Sequence, residues 1–367
     1  MKVALFAGHS KAILQFHTEL ITEIISRGHE VVCIGPELEF KEQFQKIGAE
    51  FIHIHFNRHS INPLSGISII KTLSKVLKEN KIDIYYGFTA VPSVYGVISA
   101  KKAGIKNIYM GITGAGKIVQ SRKGMFNKFI RIALSVMYKN SIKKCRKVFF
   151  LNDDNINYFV KHKLISKDKC VKTGGSGVNL TRFQPRPVPE NDSFLFIGAL
   201  LKFKGICEYM EAARLVRKEY PNSEFHIVGE IDKRVSAITQ EELDEYVNDG
   251  SVICHGYQND VKPFLNDCRY FVLPSYSEGI PTCVIEAMAT GRPIITTDAP
   301  GCNETVIDGK NGFLVPVKNV EKLKEKMIYM IEHPNEIEKM AKYSRRLVEE
   351  RFDVEIVNSI MIKTMEL

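Results

Sequence analysis

The sequence predicts an α/β protein made of two doubly wound parallel-sheet domains, and three observations carry that prediction. The chain has 367 residues, too many for one compact core and suited to two domains of roughly 150 to 190 residues each. Apolar runs of strand length alternate throughout with amphipathic stretches of helix length, the pattern of βα units feeding a parallel sheet. The alternation is interrupted by the turn-rich Thr173-Gly-Gly-Ser-Gly-Val-Asn179 and then by Phe183-Gln-Pro-Arg-Pro-Val-Pro-Glu-Asn191, whose prolines and polar residues suit neither helix nor strand.

The first series begins with Met1-Lys2-Val3-Ala4-Leu5-Phe6-Ala7-Gly8. Its apolar run is too short for a signal peptide and closes on a glycine, so it reads as a first strand. Further strands are expected at 30–34, 51–55, 83–86, 107–111 and 147–151, separated by helices such as Phe16–Ser26, which ends at Arg27-Gly28. The interdomain linker is expected at 183–191. A second series follows, with strands near 193–198, 224–229, 251–255, 270–273, 293–297 and 312–315. From about Val320 the chain is helical by period, with Leu323, Met327, Met330 and Ile331 on one side. Residues 354–367 are expected to pack back on the first domain, giving domains 1–180 and 190–350.

Apolar residues make up 44% and charged residues 25%, values that exclude disordered and collagen-like classes. No stretch approaches the roughly 20 apolar residues of a spanning helix. The eight cysteines are scattered without a C-x-x-C pair, which suggests free thiols in a reducing cytosol. No Cys/His cluster has zinc-ligand spacing, and Asp153-Asp154 follows a first-domain strand, so no metal cofactor is expected. The net charge of +9 is uneven, because no acidic residue lies between Asp83 and Asp153. Within that run Arg122 and Lys123 precede Met125–Tyr138, which mixes Phe126, Phe129, Ile130, Ile132 and Val136 with Lys128 and Arg131. Such a composition suits either a helix lying on an anionic membrane surface or a core helix with solvated lysines. Nucleic acid is not expected as a partner, since no recognition motif accompanies the charge.

The most informative stretch is Leu273-Pro-Ser-Tyr-Ser-Glu-Gly-Ile-Pro-Thr-Cys-Val-Ile-Glu-Ala-Met-Ala-Thr-Gly-Arg-Pro293. Pro281 suits the first turn of a helix, and Gly291 with Pro293 ends it, so a helix is predicted over roughly 281–290. Ser277, Glu278, Gly279 and Ile280 then sit just ahead of free backbone N–H groups and a positive dipole end, a place that binds a diphosphate well. Glu286 lies about a turn and a half into that helix, and its carboxylate is available to vicinal sugar hydroxyls. Two glutamates eight apart are by themselves uninformative; in this strand-loop-helix frame they are a strong signal.

Glu278 and Glu286, with the Pro-Ser-x-x-Glu-Gly and Glu-Ala-Met-Ala-x-Gly-Arg-Pro pieces around them, resemble the E-x7-E pattern of the retaining glycosyltransferases of family 4. Lys204-Gly205 resembles that family's diphosphate-clamping lysine, and Gly175-Ser-Gly-Val-Asn179 with Phe183 and Pro185 its interdomain segment. His255-Gly256-Tyr257, Pro300-Gly301-Cys302-Asn303-Glu304 and Gly309–Val315 also match. In the first half, Phe56-Asn-Arg-His-Ser-Ile-Asn-Pro63, Pro92-Ser-Val-Tyr-Gly96 and Thr113-Gly-Ala-Gly116 are similar to the subgroup that extends lipid-diphosphate-linked saccharides, including N-acetylgalactosaminyltransferases.

The resemblance implies the GT-B fold, two Rossmann-like domains facing across a cleft, and transfer of a sugar, an N-acetylhexosamine in this subgroup, from a UDP-sugar to a polyprenyl-diphosphate-linked saccharide. It implies a cytoplasmic enzyme peripheral on the inner face of the membrane, and no metal. Glu278, Lys204 and His9 are the catalytic candidates. Gly8, Lys202, Gly229, Tyr257, Ser277, Gly279, Ile280, Pro281 and Glu286 are the donor-binding candidates. Arg58, Thr113, Gly114, Arg122, Lys123, Lys128 and Arg131 are placed on the acceptor or membrane side. His9, at the carboxyl end of the first strand, reads equally as a phosphate or acceptor contact and as a solvated loop histidine; His17 and His59 are further candidates for an acceptor-side histidine. The sequence departs from the family at Ala199, five residues before Lys204, where an arginine is usual, and Lys202 is a candidate to replace that charge. This departure leaves open a non-catalytic partner that binds nucleotide sugar, and a GT-B epimerase is a further alternative.

Overall fold

The computed structural model describes residues 1–56, 63–113, 125–232 and 234–367, with 63–65 and 125–131 described by their backbone alone. Val3 to Ala7 are all buried because their strand, β1 (Lys2–Ala7), lies mid-sheet and is covered on both faces, as a parallel sheet requires. The remaining strands of this sheet are β2 (Glu30–Gly35), β3 (Glu50–His53), β4 (Ile84–Phe88), β5 (Asn107–Ile112), β6 (Lys147–Phe150) and β7 (Cys170–Lys172). Their spatial order is β3-β2-β1-β4-β5-β6-β7, and all pairings are parallel. β7 is the strand the sequence did not announce; three residues are too short for a period-2 pattern to register.

Ala4 and Phe6 face a core with Leu73 and Val94, whereas Val3, Leu5 and Ala7 face Ile13, Leu20 and Ile21. The terminal helix Val354–Met365 adds Val357, Met361, Ile362 and Met365 to the second cluster. Arg146 fastens its end through a bidentate contact with Glu366, at 3.0 and 2.6 Å.

The second sheet contains β8 (Ser193–Ile197), β9 (Glu224–Val228), β10 (Ile253–Cys254), β11 (Tyr270–Leu273), β12 (Ile294–Thr297) and β13 (Gly312–Val315). It runs β10-β9-β8-β11-β12-β13 and is again parallel. The order reverses between β1 and β4 in one sheet and between β8 and β11 in the other. Ligands of open α/β sheets bind outside the carboxyl ends of the strands at such points.

The chain divides into Met1–Ser176 with Glu355–Leu367 and Gly177–Val354, so the boundary falls earlier than the expected linker. Residues 183–191 belong to the second unit for a specific reason. The fully buried Arg292 donates to the carbonyls of Pro187 at 3.0 Å, Arg186 at 3.4 Å and Asn266 at 3.3 Å. Arg345 donates to Phe183 at 2.9 Å and Ala289 at 2.8 Å. Each proline of the segment lacks an N–H donor but keeps its carbonyl, and two arginine side chains donate to carbonyls of the segment.

Candidate active site

At the β8/β11 switch point the chain leaves β8 and makes a single turn, Lys202–Lys204, ending on Gly205 with φ +78°. A side chain at Gly205 would strike the Pro274 carbonyl, so only glycine allows this turn to close on the end of β11. Two bonds to the Phe203 carbonyl, from the Tyr276 N–H at 2.9 Å and the Ser275 hydroxyl at 3.3 Å, hold the turn there.

That closure brings Lys204 Nζ to 2.5 Å from Glu278 Oε1, with both side chains mostly buried. Burial disfavours the lysine's charge, the Glu278 carboxylate outweighs it, and the net effect raises the Lys204 pKa. Glu278 is fixed from its other side as well: its N–H donates to the Pro300 carbonyl at 2.9 Å, and Gly301, φ +78°, packs against the carbonyls of Glu278 and Gly279 where a Cβ has no room.

The helix that follows spans Thr282–Ala289, one residue shorter at each end than expected. Pro281 precedes it in an extended conformation (φ −71°, ψ 110°) and is its N-cap rather than its first helical residue. No side chain caps this end, and the first N–H groups of any helix have no intrahelical partner. Ile280 is buried against the loop while Ser277 is exposed. Glu286, farther along the helix, has its carboxyl pushed up to about 7 by burial, with Arg182 pulling it down and Asp260 pushing it up.

Other donor-side candidates fall differently. Lys202 turns to Glu242 at 2.7 Å, on the helix Gln240–Asn248, so its charge is already matched there. Gly229, φ +155°, lies against the Gly198 carbonyl and donates to the Gly256 carbonyl at 2.9 Å; its place reflects close approach of three chain segments. Tyr257 is 51% exposed just beyond β10.

At the β1/β4 switch point the Gly8 N–H donates to Thr89 Oγ1 at 2.9 Å. Thr89 has φ +70°, an outlier for a β-branched residue that stores local backbone strain. His9 is the N-cap of the helix Ser10–Ser26, and its Nδ1 lies 2.9 Å from Glu37 Oε1. The other oxygen of Glu37 accepts from the Ser10 N–H at 2.7 Å. The chain's own carboxylate thus occupies the helix N-terminus beside His9. The sequence reading missed Glu37 and Thr89; the Gly35-Pro36 turn at the end of β2 was the available signal for the first.

Thr113 is exposed at the end of β5. Arg58, His59, Gly114, Arg122 and Lys123 lie outside the described residues, and Lys128 and Arg131 are described by their backbone on the helix Met125–Ile142. Among the described residues no group of three His, Cys, Asp or Glu side chains is placed to hold a metal ion.

Residues 2–152 match the family described as "Glycosyl transferase 4-like" and residues 179–347 the family described as "Glycosyl transferases group 1". The two matches cover every strand but β7, and the second includes Lys204, Glu278 and Glu286. The chain belongs to the family 4 type of glycosyltransferases. A relative of this glycosyltransferase in Campylobacter jejuni is the N,N'-diacetylbacillosaminyl-diphospho-undecaprenol alpha-1,3-N-acetylgalactosaminyltransferase, 28% identical over 90% of each chain. Another, in Escherichia coli, is the UDP-Gal:alpha-D-GlcNAc-diphosphoundecaprenol alpha-1,3-galactosyltransferase, 26% identical over 70% of each. Among solved structures, Anabaena HepE in complex with UDP-glucose superposes with a TM-score of 0.80 over the whole of both chains at 16% identity, which establishes the shared GT-B fold.

Proposed function

We propose that this glycosyltransferase moves a sugar, an N-acetylhexosamine, from a UDP-sugar to a polyprenyl-diphosphate-linked saccharide, with retention of the anomeric configuration. The observation that carries the reading is the Lys204–Glu278 pair set against the uncapped start of the helix Thr282–Ala289. The full-length relative acts on a diphospho-undecaprenol-linked sugar and a second relative uses UDP-galactose, which supports both substrate classes.

In this reading the donor diphosphate lies between the Lys204 ammonium and the helix N-terminus, which stabilise the charge that grows as the bond from the anomeric carbon to the diphosphate oxygen breaks. The acceptor hydroxyl attacks that carbon and its proton passes to the departing phosphate oxygen, so the products are UDP and the extended saccharide. Glu286 as a carboxylate accepts the two ribose hydroxyls. Glu278 orients the transferred sugar, and Lys204 exchanges part of its contact with Glu278 for the diphosphate. Lysine and helix dipole supply the positive charge, so the reaction proceeds without an added metal.

Peripheral attachment to an anionic membrane is part of the same proposal. The helix Met125–Ile142 exposes Ile132 (49%) and Val136 (52%) one turn apart, with Lys139 exposed on the next turn. No helix among the described residues is long and apolar enough to cross a membrane. Apolar side chains seated among lysines match a lipid surface with negative headgroups.

The test is incubation with UDP-sugars, GDP-sugars and a synthetic polyprenyl-diphosphate saccharide, with and without EDTA, reading nucleotide release and lipid-product mass. Release that requires the acceptor supports the reading. Donor binding without release points to a non-catalytic partner, and a changed sugar without acceptor points to an epimerase.

A further inference from the structure

A cavity outside the donor site lies at the carboxyl edge of the first sheet, beyond the ends of β4, β5 and β6. Phe88, Phe149, Leu151 and Met361 wall it with apolar surface, and Thr113 stands at it. Among the described residues no lysine, arginine, aspartate or glutamate lines it.

Two buried polar side chains line it without hydrogen-bond partners among the described residues. His17 keeps 7% of its surface and Tyr86 4%. The His17 ring meets Tyr86 and Phe88 edge-on, with centroids 5.5 and 4.6 Å apart. Neither an imidazole nitrogen of His17 nor the Tyr86 hydroxyl has a hydrogen-bond partner among the described residues. That hydroxyl sits beside Gly111, where an added Cβ would come within 2.6 Å of it, and Gly111 itself lines the cavity. Burial lowers the His17 pKa to about 4 and raises that of Tyr86, so both are neutral at physiological pH. The neighbouring Thr173 hydroxyl is already committed to the Gly175 carbonyl at 2.9 Å.

Both side chains line the cavity, and a neutral imidazole offers one donor and one acceptor beside a phenol that can do either. The matching ligand is small and uncharged, with an apolar end, one carbonyl and one N–H. We propose that this cavity is a specificity pocket for the acetamido group of the acceptor sugar, with His17 and Tyr86 taking its amide and the aromatic wall its methyl. The inference rests on the acceptor class given under Proposed function and adds which feature of that acceptor the first unit reads.

Two synthetic acceptors separate it from that reading: polyprenyl-diphosphate N-acetylglucosamine and polyprenyl-diphosphate glucose, compared at saturating donor. The wild type is expected to favour the acetylated acceptor by about tenfold or more in kcat/KM, since a site built to hydrogen-bond a group rejects the analogue that lacks it. His17→Phe keeps an edge-on ring but no nitrogen, and is expected to bring the preference within about twofold through the acceptor KM, with the donor KM unchanged. Equal use of both acceptors by the wild type, or a preference that survives His17→Phe, overturns the inference while the transferase reading stands. If neither lipid is a substrate, or the variant does not fold, the His17 ring nitrogens of 15N-histidine-labelled wild type are followed by NMR during titration with methyl N-acetylglucosaminide and with methyl glucoside. A shift with the first sugar alone supports the pocket; no shift, or the same shift with both, sinks it.

Discussion

Lys204 and Glu278, 74 positions apart, meet at 2.5 Å where the turn after β8 touches the loop after β11. The pair holds a cation at the mouth of an uncapped helix, which is what a departing diphosphate needs. Lys204→Ala is expected to lower kcat by about 10²–10³, the usual loss when one donor to a developing negative charge is removed. Glu278→Gln, which keeps the shape and loses the charge, is expected to lower kcat more than it raises the donor KM. Steady-state kinetics with the acceptor present checks both, and a variant that changes only KM would argue against the charge-stabilising role.

The Glu286 carboxyl, raised by burial to about 7, gives a pH dependence with a definite sign. Below the ordinary value of 4.5 the carboxyl is protonated in folded and unfolded chains alike, and its stabilising contribution is complete. As pH rises toward 7 the unfolded chain ionises first, so that contribution is lost. Donor affinity runs the other way, because only the carboxylate accepts both ribose hydroxyls: UDP-sugar binding is expected to tighten as pH rises through about 7. Calorimetric titration across that range should show the trend in the wild type and its absence in Glu286→Gln.

Gly301 holds the Glu278 loop by backbone contact alone. Gly301→Ala combines an unfavourable φ with a clash against two carbonyls, and is expected to destabilise the second unit by about 2 kcal/mol or more and to displace Glu278. Thermal unfolding of the variant should show a lower midpoint and a smaller increase on adding UDP.

Lys202 is held by Glu242 at 2.7 Å, so the position left by Ala199 has no substitute cation from that side chain. Lys202→Ala is therefore expected to leave the donor KM within about twofold, whereas Ala199→Arg lowers it severalfold by adding a charge-assisted contact to the diphosphate. A large loss of donor binding in Lys202→Ala would show that the lysine leaves Glu242 when the donor arrives.

Co-sedimentation with vesicles tests the membrane face. Binding is expected for vesicles rich in phosphatidylglycerol, to weaken from low to high salt as exposed charges are screened, and to drop about tenfold in the pair Ile132→Ser with Val136→Ser. Equal binding to neutral phosphatidylcholine vesicles would count against the anionic surface.

The sequence by itself determined where twelve of the strands run and that Glu278 and Glu286 flank the start of one helix, because period, glycine and proline act over a few neighbouring residues. It also showed the basic stretch that has no acidic residue from Asp83 to Asp153, since charge is legible without geometry. Only the tertiary structure decided that Lys204 spends its charge on Glu278 while Lys202 turns to Glu242, and that Glu37 reaches the helix N-terminus beside His9. It alone assigned the proline-rich segment 183–191 to the second unit through Arg292 and Arg345, and set the buried His17 and Tyr86 side by side at one cavity. These contacts join residues distant along the chain, and the packing of separate βα units, not any local preference, sets which side chains come within hydrogen-bonding reach.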